Sequence, residues 1–425
     1  MALKEQFEIP GGLKKWSYAL MGVGVLTLIL GIIFLHPFSG GHGEEHGAEA
    51  YGATKFWMAL MHNSIYWLLV VAASFFFVSA TTLAQAGFPL VFRRVPEAIS
   101  GGINVLGPIA LVILLAYVWI SDDHHIYHWK DAAHLDEKLQ AKSGFLNPVF
   151  YTVLSIAAVG LWIWFRNWFR KNSLAEDLAG QGDRSFYWKS LKIAAAFLVT
   201  YGLTVLSTLP WMWLMSIDAH WYSTMYSWYT FASSWVAGLS LMMLFVVYLK
   251  NHGYLEFVNE EHIHDIGKFM FAFSIFWTYL WFSQFMLIWY SNQPEETEYF
   301  IDRLGFGGKG DGPFRAMFLL NLIINFLAPL LILMRRGSKR NYTVVTLMSV
   351  IIIFGHWLDF YQMVTPGPLK ELGKDSNPIS HFVYSLGVSA GFLGLVIYLT
   401  AKHLTKAPLL PKNHPLVKES IIHHT

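Results

Sequence analysis

The 425-residue sequence contains no cysteine. That excludes disulfides, thiolate-held iron–sulfur clusters and thioether-attached c-type haem on this chain. Any redox group it serves must be a non-covalent quinone, flavin or His-ligated haem, or must sit on another subunit. Charge is scarce too, at 14% of residues, where soluble domains carry about 25%. So little charge cannot cover a water-facing surface of this size, and the deficit calls for a lipid-facing exterior. A net charge of only +2 gives no case for nucleic acid.

What is abundant points the same way. Hydrophobic residues make up 55% of the chain, and 18 Trp, 20 Tyr and 33 Phe suit the aromatic belts of a multi-span protein. Ten apolar runs are long enough to cross a hydrocarbon core of about 30 Å. They lie at 15–36, 56–84, 98–120, 146–168, 188–214, 226–249, 268–290, 314–334, 342–363 and 380–401. The expected fold is an all-α integral membrane protein with ten transmembrane helices in one polytopic domain, 1–425. Its approximate halves are 1–215 and 216–425. Near its outer end the second run carries Met61-His62-Asn63-Ser64 and then Ala72-Ala73-Ser74; the sixth carries Tyr226-Ser227-Trp228 and then Ala232-Ser233-Ser234. This weak internal repeat suits two four-helix bundles with two flanking helices. Charges of both signs precede the first run and no clear small-residue site follows it, so it reads as a span and not as a cleavable signal.

Counting Lys and Arg on alternate sides of ten spans places 21 of the 30 on the side shared by the termini. The positive-inside rule makes that side cytoplasmic. The outer loops, 37–55, 121–145 and 291–313, are then the long ones, which suits partner docking. They contain Gly40-Gly41-His42 with His46, Asp122-Asp123-His124-His125, and Gly305-Phe306-Gly307-Gly308. On the inner side the longest connection is the charged 169–187 segment.

Ionisable residues inside spans are costly in lipid and face a bundle interior or water. His62 lies about 10 Å into the second run at 1.5 Å per residue. His356 and Asp359 stand three apart in the ninth, on one helical face. Asp218 and His220, at the junction after the fifth run, arrive near the same depth. These residues suit a proton-handling or quinone-headgroup site near the outer face, since His titrates near neutral pH. They also read as interfacial polar groups, hydrogen-bonded near headgroup depth. Two polar stripes, Thr200, Tyr201, Thr204, Ser207 and Thr208 in the fifth run and Ser274, Thr278, Tyr279, Ser283 and Gln284 in the seventh, could relay protons or serve helix packing. Pro210 should kink or end the fifth run. A haem would need two His on facing helices, for which His62 and His356 are the candidates. His124, His125, His128 and His134 lie in a polar loop, and no metal site is expected there. Glu260-Glu261-His262-Ile263-His264-Asp265 reads as a solvated helix start or a proton-collecting patch.

Several segments carry a family resemblance. Ser216-Ile217-Asp218, His220-Trp221-Tyr222-Ser223-Thr224, Phe276-Trp277-Thr278-Tyr279-Leu280-Trp281-Phe282-Ser283-Gln284 and Gly355-His356-Trp357-Leu358-Asp359 resemble the ActF membrane subunits of alternative complex III, a bacterial quinol:electron-acceptor oxidoreductase. The resemblance spans the ten-run body and extends more distantly to NrfD-like anchors, including that of polysulfide reductase. It implies a bacterial inner-membrane location and an ActC-like ten-helix partner. Above these it implies periplasmic iron–sulfur and multihaem c-type subunits, with quinol, such as menaquinol, as substrate of the complex. In that family quinol oxidation is attributed mainly to ActC-like chains, which have Trp-His after the junction and a Glu in the seventh span. The matching stretches here read Tyr226-Ser227-Trp228 and Phe282-Ser283-Gln284-Phe285. The resemblance therefore implies a structural subunit with a proton path and no redox cofactor of its own. Two other readings stay open: that this chain itself hosts a quinol site near the outer face, or that it is a stand-alone secondary transporter. Against the transporter, Pro210 and Pro329 fall near opposite ends of their spans and do not form a midplane pair.

Overall fold

The computed structural model describes residues 6–38, 48–121, 125–130, 135–180, 182–305, 314–371 and 378–424. The loop residues His42, His46, Asp122, Asp123, His124, His134, Phe306, Gly307 and Gly308 lie outside these. The chain is 82% helical, with no strand among the described residues. Ten helices are long and apolar enough to cross a membrane. They are α1 (Gly11–Leu35), α2 (Gly52–Leu83), α3 (Arg94–Trp119), α4 (Pro148–Leu178), α5 (Ser185–Trp213), α6 (Tyr226–Asn251), α7 (Glu260–Ser291), α8 (Arg315–Leu333), α9 (Tyr342–Val364) and α10 (Ile379–Leu404).

Hydropathy found every span but cut several short, because helices continue past the lipid wherever polar residues are capped or packed. α7 starts eight residues before its apolar run, since the Asn259 side chain accepts the amides of Glu261 and His262 at 3.0 and 3.2 Å. α4 runs on to Leu178, into the segment read as a charged connection. Its buried Phe169, Asn172, Ser173 and Glu176 keep packing there. Pro210 does not end α5. A five-residue π turn, Thr204–Thr208, precedes it, and a second, Ile323–Leu327, stands in the same relation to Pro329 in α8. The wider turn accommodates a proline that can neither donate to the helix ladder nor sit in a regular turn without clashing. Ser227 Oγ donates to the Ser207 carbonyl at 2.8 Å, pairing one acceptor of the first π turn from outside the helix.

α2 packs on α3 and α5, and α4 packs on the same two. α6 packs on α7 and α9, and α8 does likewise; α2 joins the sets through α6 and α9. α6 is 89% buried along its apolar stretch and α1 only 11%. What holds α1 is close backbone approach to α10: a Cβ at Gly24 would fall 2.4 Å from Gly391 Cα, and one at Gly31 would overlap the Tyr384 hydroxyl.

Two polar faces terminate the helices. On one, the 3–4, 5–6 and 7–8 connections meet through His220–Asp136, Lys142 to the Ala219 carbonyl at 2.6 Å, and Lys138–Glu295 at 2.7 Å. The other is rich in arginine. Glu97, 2% exposed, pairs with Arg93, Arg94 and Arg170 and accepts Ser173 Oγ at 2.8 Å. Arg94 also pairs with Asp177. The segment after α10 straps this face. Asn413 donates to the carbonyls of Asp177 and Ala179, Ser420 Oγ donates to the Phe88 carbonyl at 2.9 Å, and His423 Nε2 meets Asp265 at 2.7 Å.

Burial, with Arg93 beside it, lowers the His414 ring of this strap from its usual 6.5 to about 3. Arg94 acts in the same sense and Glu97 opposes. The docked ring is therefore neutral, while the released segment takes up a proton as pH falls below 6.5. Docking weakens from there down towards pH 3, by up to about tenfold per pH unit. Amide exchange at residues 413–417, corrected for intrinsic rates, should rise on acidification from pH 7.5 to 5.5 and stay flat in His414→Gln. An unchanged wild-type profile would contradict this.

Candidate functional site

A polar cluster within the spanning helices lies between α6, α7, α8 and α9. Asp359 is fully buried and accepts from four uncharged donors. Ser233 Oγ at 2.7 Å and Trp277 Nε1 at 2.8 Å reach one oxygen. Asn321 Nδ2 at 2.7 Å and the Tyr229 hydroxyl reach the other. A carboxylate offers about four lone-pair positions, so donors fill the whole set. α6 supplies two of these donors and α7 and α8 one each, so three helices fix a carboxylate carried by a fourth, α9.

His356, one turn before Asp359, reaches it through Ser233 and not directly. Its Nδ1 lies 3.0 Å from Ser233 Oγ. Ser233 has one proton and gives it to Asp359, so the ring is the donor at Nδ1. His356 Nε2 is buried without a partner among the described residues, as are Asn325 Oδ1 and Ser274 Oγ. Asn325 donates to Asn321 Oδ1 at 2.6 Å and lies against Gly355, where a Cβ would fall 2.2 Å from its Oδ1. The arrangement is a hydrogen-bonded row, His356–Ser233–Asp359–Tyr229, with unmatched polar atoms around its inner end.

The expected residues separate into distinct places. His62 belongs to another face of α9: its Nε2 donates to the Trp357 carbonyl at 3.0 Å, and its Nδ1 stands 3.0 Å from Ser385 Oγ. Both ring nitrogens are thus committed to joining α2, α9 and α10. Asp218 pairs with Arg303 at 3.3 Å. Arg303, 1% exposed, also donates to the carbonyls of Gln362 and Tyr299 and lies 3.3 Å from the Tyr299 ring centre. Burial pushes the Tyr299 hydroxyl up to about 12, with Arg303 opposing. His220 is half exposed and meets Asp136 at 2.5 Å, and the Leu139 amide, then His220, hold Asp136 below the usual carboxylate range. Between Asp218 and Asp359 stand Tyr299, Tyr226 and Tyr229, with successive ring centres 6.4 and 6.2 Å apart.

The polar stripes are mostly turned on their own helices. Thr200, Thr204, Ser207 and Thr208 donate to carbonyls about one turn back in α5, and Thr204 also accepts from Trp162 Nε1. Tyr201 is buried, its hydroxyl without a partner among the described residues. Thr278 and Ser283 likewise bond within α7, and Tyr279 is 61% exposed. Of the two stripes, only Ser274 and Gln284 share the buried face of α7 that carries Trp277 to Asp359.

Tyr229, Ser233, Trp277, Asn321, Asn325 and Arg303 are site residues that a search for ionisable groups within spans passes over. The asparagines carried a usable signal: two carboxamides four apart in an otherwise apolar run must share a buried face. No group of three or more His, Cys, Asp or Glu that could hold a metal occurs among the described residues. No family model matches the chain, and no curated protein matches it.

Proposed function

We propose that this chain is an integral membrane subunit of a bacterial respiratory quinol:electron-acceptor oxidoreductase of the alternative complex III type, and that α6–α9 carry protons within it. The observation that carries the proton role is the row His356–Ser233–Asp359–Tyr229, held by four helices and caged by uncharged donors. Ser233 can pass its proton to Asp359 while taking one from His356 Nδ1, and the unpartnered Nε2 is where the ring takes up the next. Beyond Tyr229, the column of Tyr226 and Tyr299 leads to Asp218 and out to His220 and Asp136.

In this reading both termini lie in the cytoplasm, in keeping with the Lys and Arg distribution. The helices form two four-helix units, α2–α5 and α6–α9, flanked by α1 and α10. The face where the long connections meet receives the iron–sulfur and multihaem c-type subunits, beside an ActC-like membrane partner. Quinol from the membrane pool is oxidised by the complex, and this chain holds no redox group.

The test is proton release per electron by the intact complex in liposomes, driven by a soluble quinol. Asp359→Asn and His356→Gln should each remove release beyond the one proton per electron that quinol oxidation itself frees, with subunit composition unchanged. A wild-type ratio in Asp359→Asn would overturn the proposal. His62→Gln should leave the ratio alone, because that ring is already spent on Trp357 and Ser385.

A further inference from the structure

α10 packs on α1, α2 and α3, while α6 and α9 pack on each other. Between α10 and the α6–α9 pair lies a cavity of about 580 Å³. Its walls are apolar, with Leu241 and Phe245 from α6, Val350 and Phe354 from α9, and Ala390 and Leu393 from α10. It extends along α9 from Thr346 to Trp357 and along α6 from Leu241 to Asn251. At 1.5 Å per residue that is about 15–17 Å, or half of a hydrocarbon core of about 30 Å. The groove therefore has the length of one leaflet.

Its two ends differ in chemistry. At the inner end the polar groups are already paired: Trp67 Nε1 donates to Ser389 Oγ at 3.1 Å, and Trp357 Nε1 to Asn63 Oδ1 at 2.8 Å. Both indole N–H groups are thus taken, and the Ser389 hydroxyl, which accepts from Trp67, is the one small polar group at this end. The other end opens at Leu13 and the exposed Asn251, on the arginine-rich face. Next to Leu13 in the first turn of α1 stand Lys14 and Lys15, both exposed. An apolar slot one leaflet long, with two exposed lysines directly after Leu13 at its mouth and both indole donors at its floor already paired, matches an acyl chain whose phosphate stays at the surface.

We propose that this groove is a phospholipid site, holding an acyl chain of the leaflet at the arginine-rich face with its phosphate at Lys14 and Lys15. The lipid fills the space between α10 and the α6–α9 pair and so braces the wall that backs Trp357, next to His356. The proposal stands independently of the proton role.

The probe is a phosphatidylglycerol with a diazirine in one acyl chain, photolysed in nanodiscs containing the full chain and mapped by peptide mass spectrometry. Label should concentrate on residues 241–251 and 390–397. Ala390→Trp should reduce it about tenfold there, while label at the exposed Val153 and Leu331 is unchanged. Lys14→Glu with Lys15→Glu, which leaves the groove wall intact, should lower retention of the same lipid through detergent exchange about tenfold. Groove label no denser than at Val153 would overturn the proposal. So would its displacement by an equimolar isoprenoid quinone, which would give the groove to a quinone tail.

Discussion

Replacing Glu97 by alanine is expected to cost about 3–5 kcal/mol of stability, a large share of what holds a membrane bundle together. The carboxylate has 2% exposure and is the shared partner of Arg93, Arg94 and Arg170, with Ser173 as a further donor. Arg93 and Arg94 are themselves 4% and 2% exposed. Without Glu97, three guanidinium groups face one another with only Asp177, which pairs with Arg94, and the buried Glu176 beside Arg93 to offset them. Mutual repulsion and unpaired burial then act together. Glu97→Gln keeps the shape and the hydrogen-bond acceptor but loses the charge, so it should fall between wild type and alanine. Thermal unfolding in mild detergent, followed by size-exclusion fluorescence, would rank the three. Equal midpoints for all three would show that the cluster is solvated and counts for little.

Gly391→Leu should release α1 from the rest of the protein. The Cα atoms of Gly24 and Gly391 approach so closely that a Cβ on either residue falls 2.4–2.9 Å from the opposite Cα. A leucine there cannot be absorbed by a rotamer change, because the obstacle is backbone. α1 has little other packing to fall back on, and helices in lipid gain no hydrophobic driving force from pairing. The cysteine-free sequence makes the effect easy to read. Tyr18→Cys with Tyr398→Cys, at positions whose rings lie 5.5 Å apart, should be bridged by a short bifunctional thiol reagent. Adding Gly391→Leu should reduce bridging about tenfold. Unchanged bridging would mean that the glycine contact is dispensable.

The architecture was far more legible than the site. Spans announce themselves because lipid leaves no alternative to about 20 apolar residues in a row. Their true ends did not, since the caps of Asn259 and the buried polar face beyond Phe169 replace lipid with protein contacts that hydropathy does not register. His356 and Asp359 stood out as ionisable groups in an apolar run. That Ser233 joins them, while His62 serves another seam of α9, depends on which face of α6 and of α2 meets α9, and spacing along one helix carries no such information. Arg303 read as one more charge in an outer loop. The Pro294–Leu304 helix folds it back under Gln362 and Tyr299, and only tertiary packing turns that loop charge into the buried partner of Asp218.

The strap across the arginine-rich face also has a consequence for biosynthesis. Ser420 closes on Phe88, which precedes it by 332 residues. At roughly 5–20 residues per second, the ribosome takes about 17–66 s to travel between them. Through that interval the connection after α2 and the end of α4 stand in the membrane without the residues that will cover them. The Glu97 cluster, formed within the first 180 residues, is what can hold that rim together while the remaining spans are still being made.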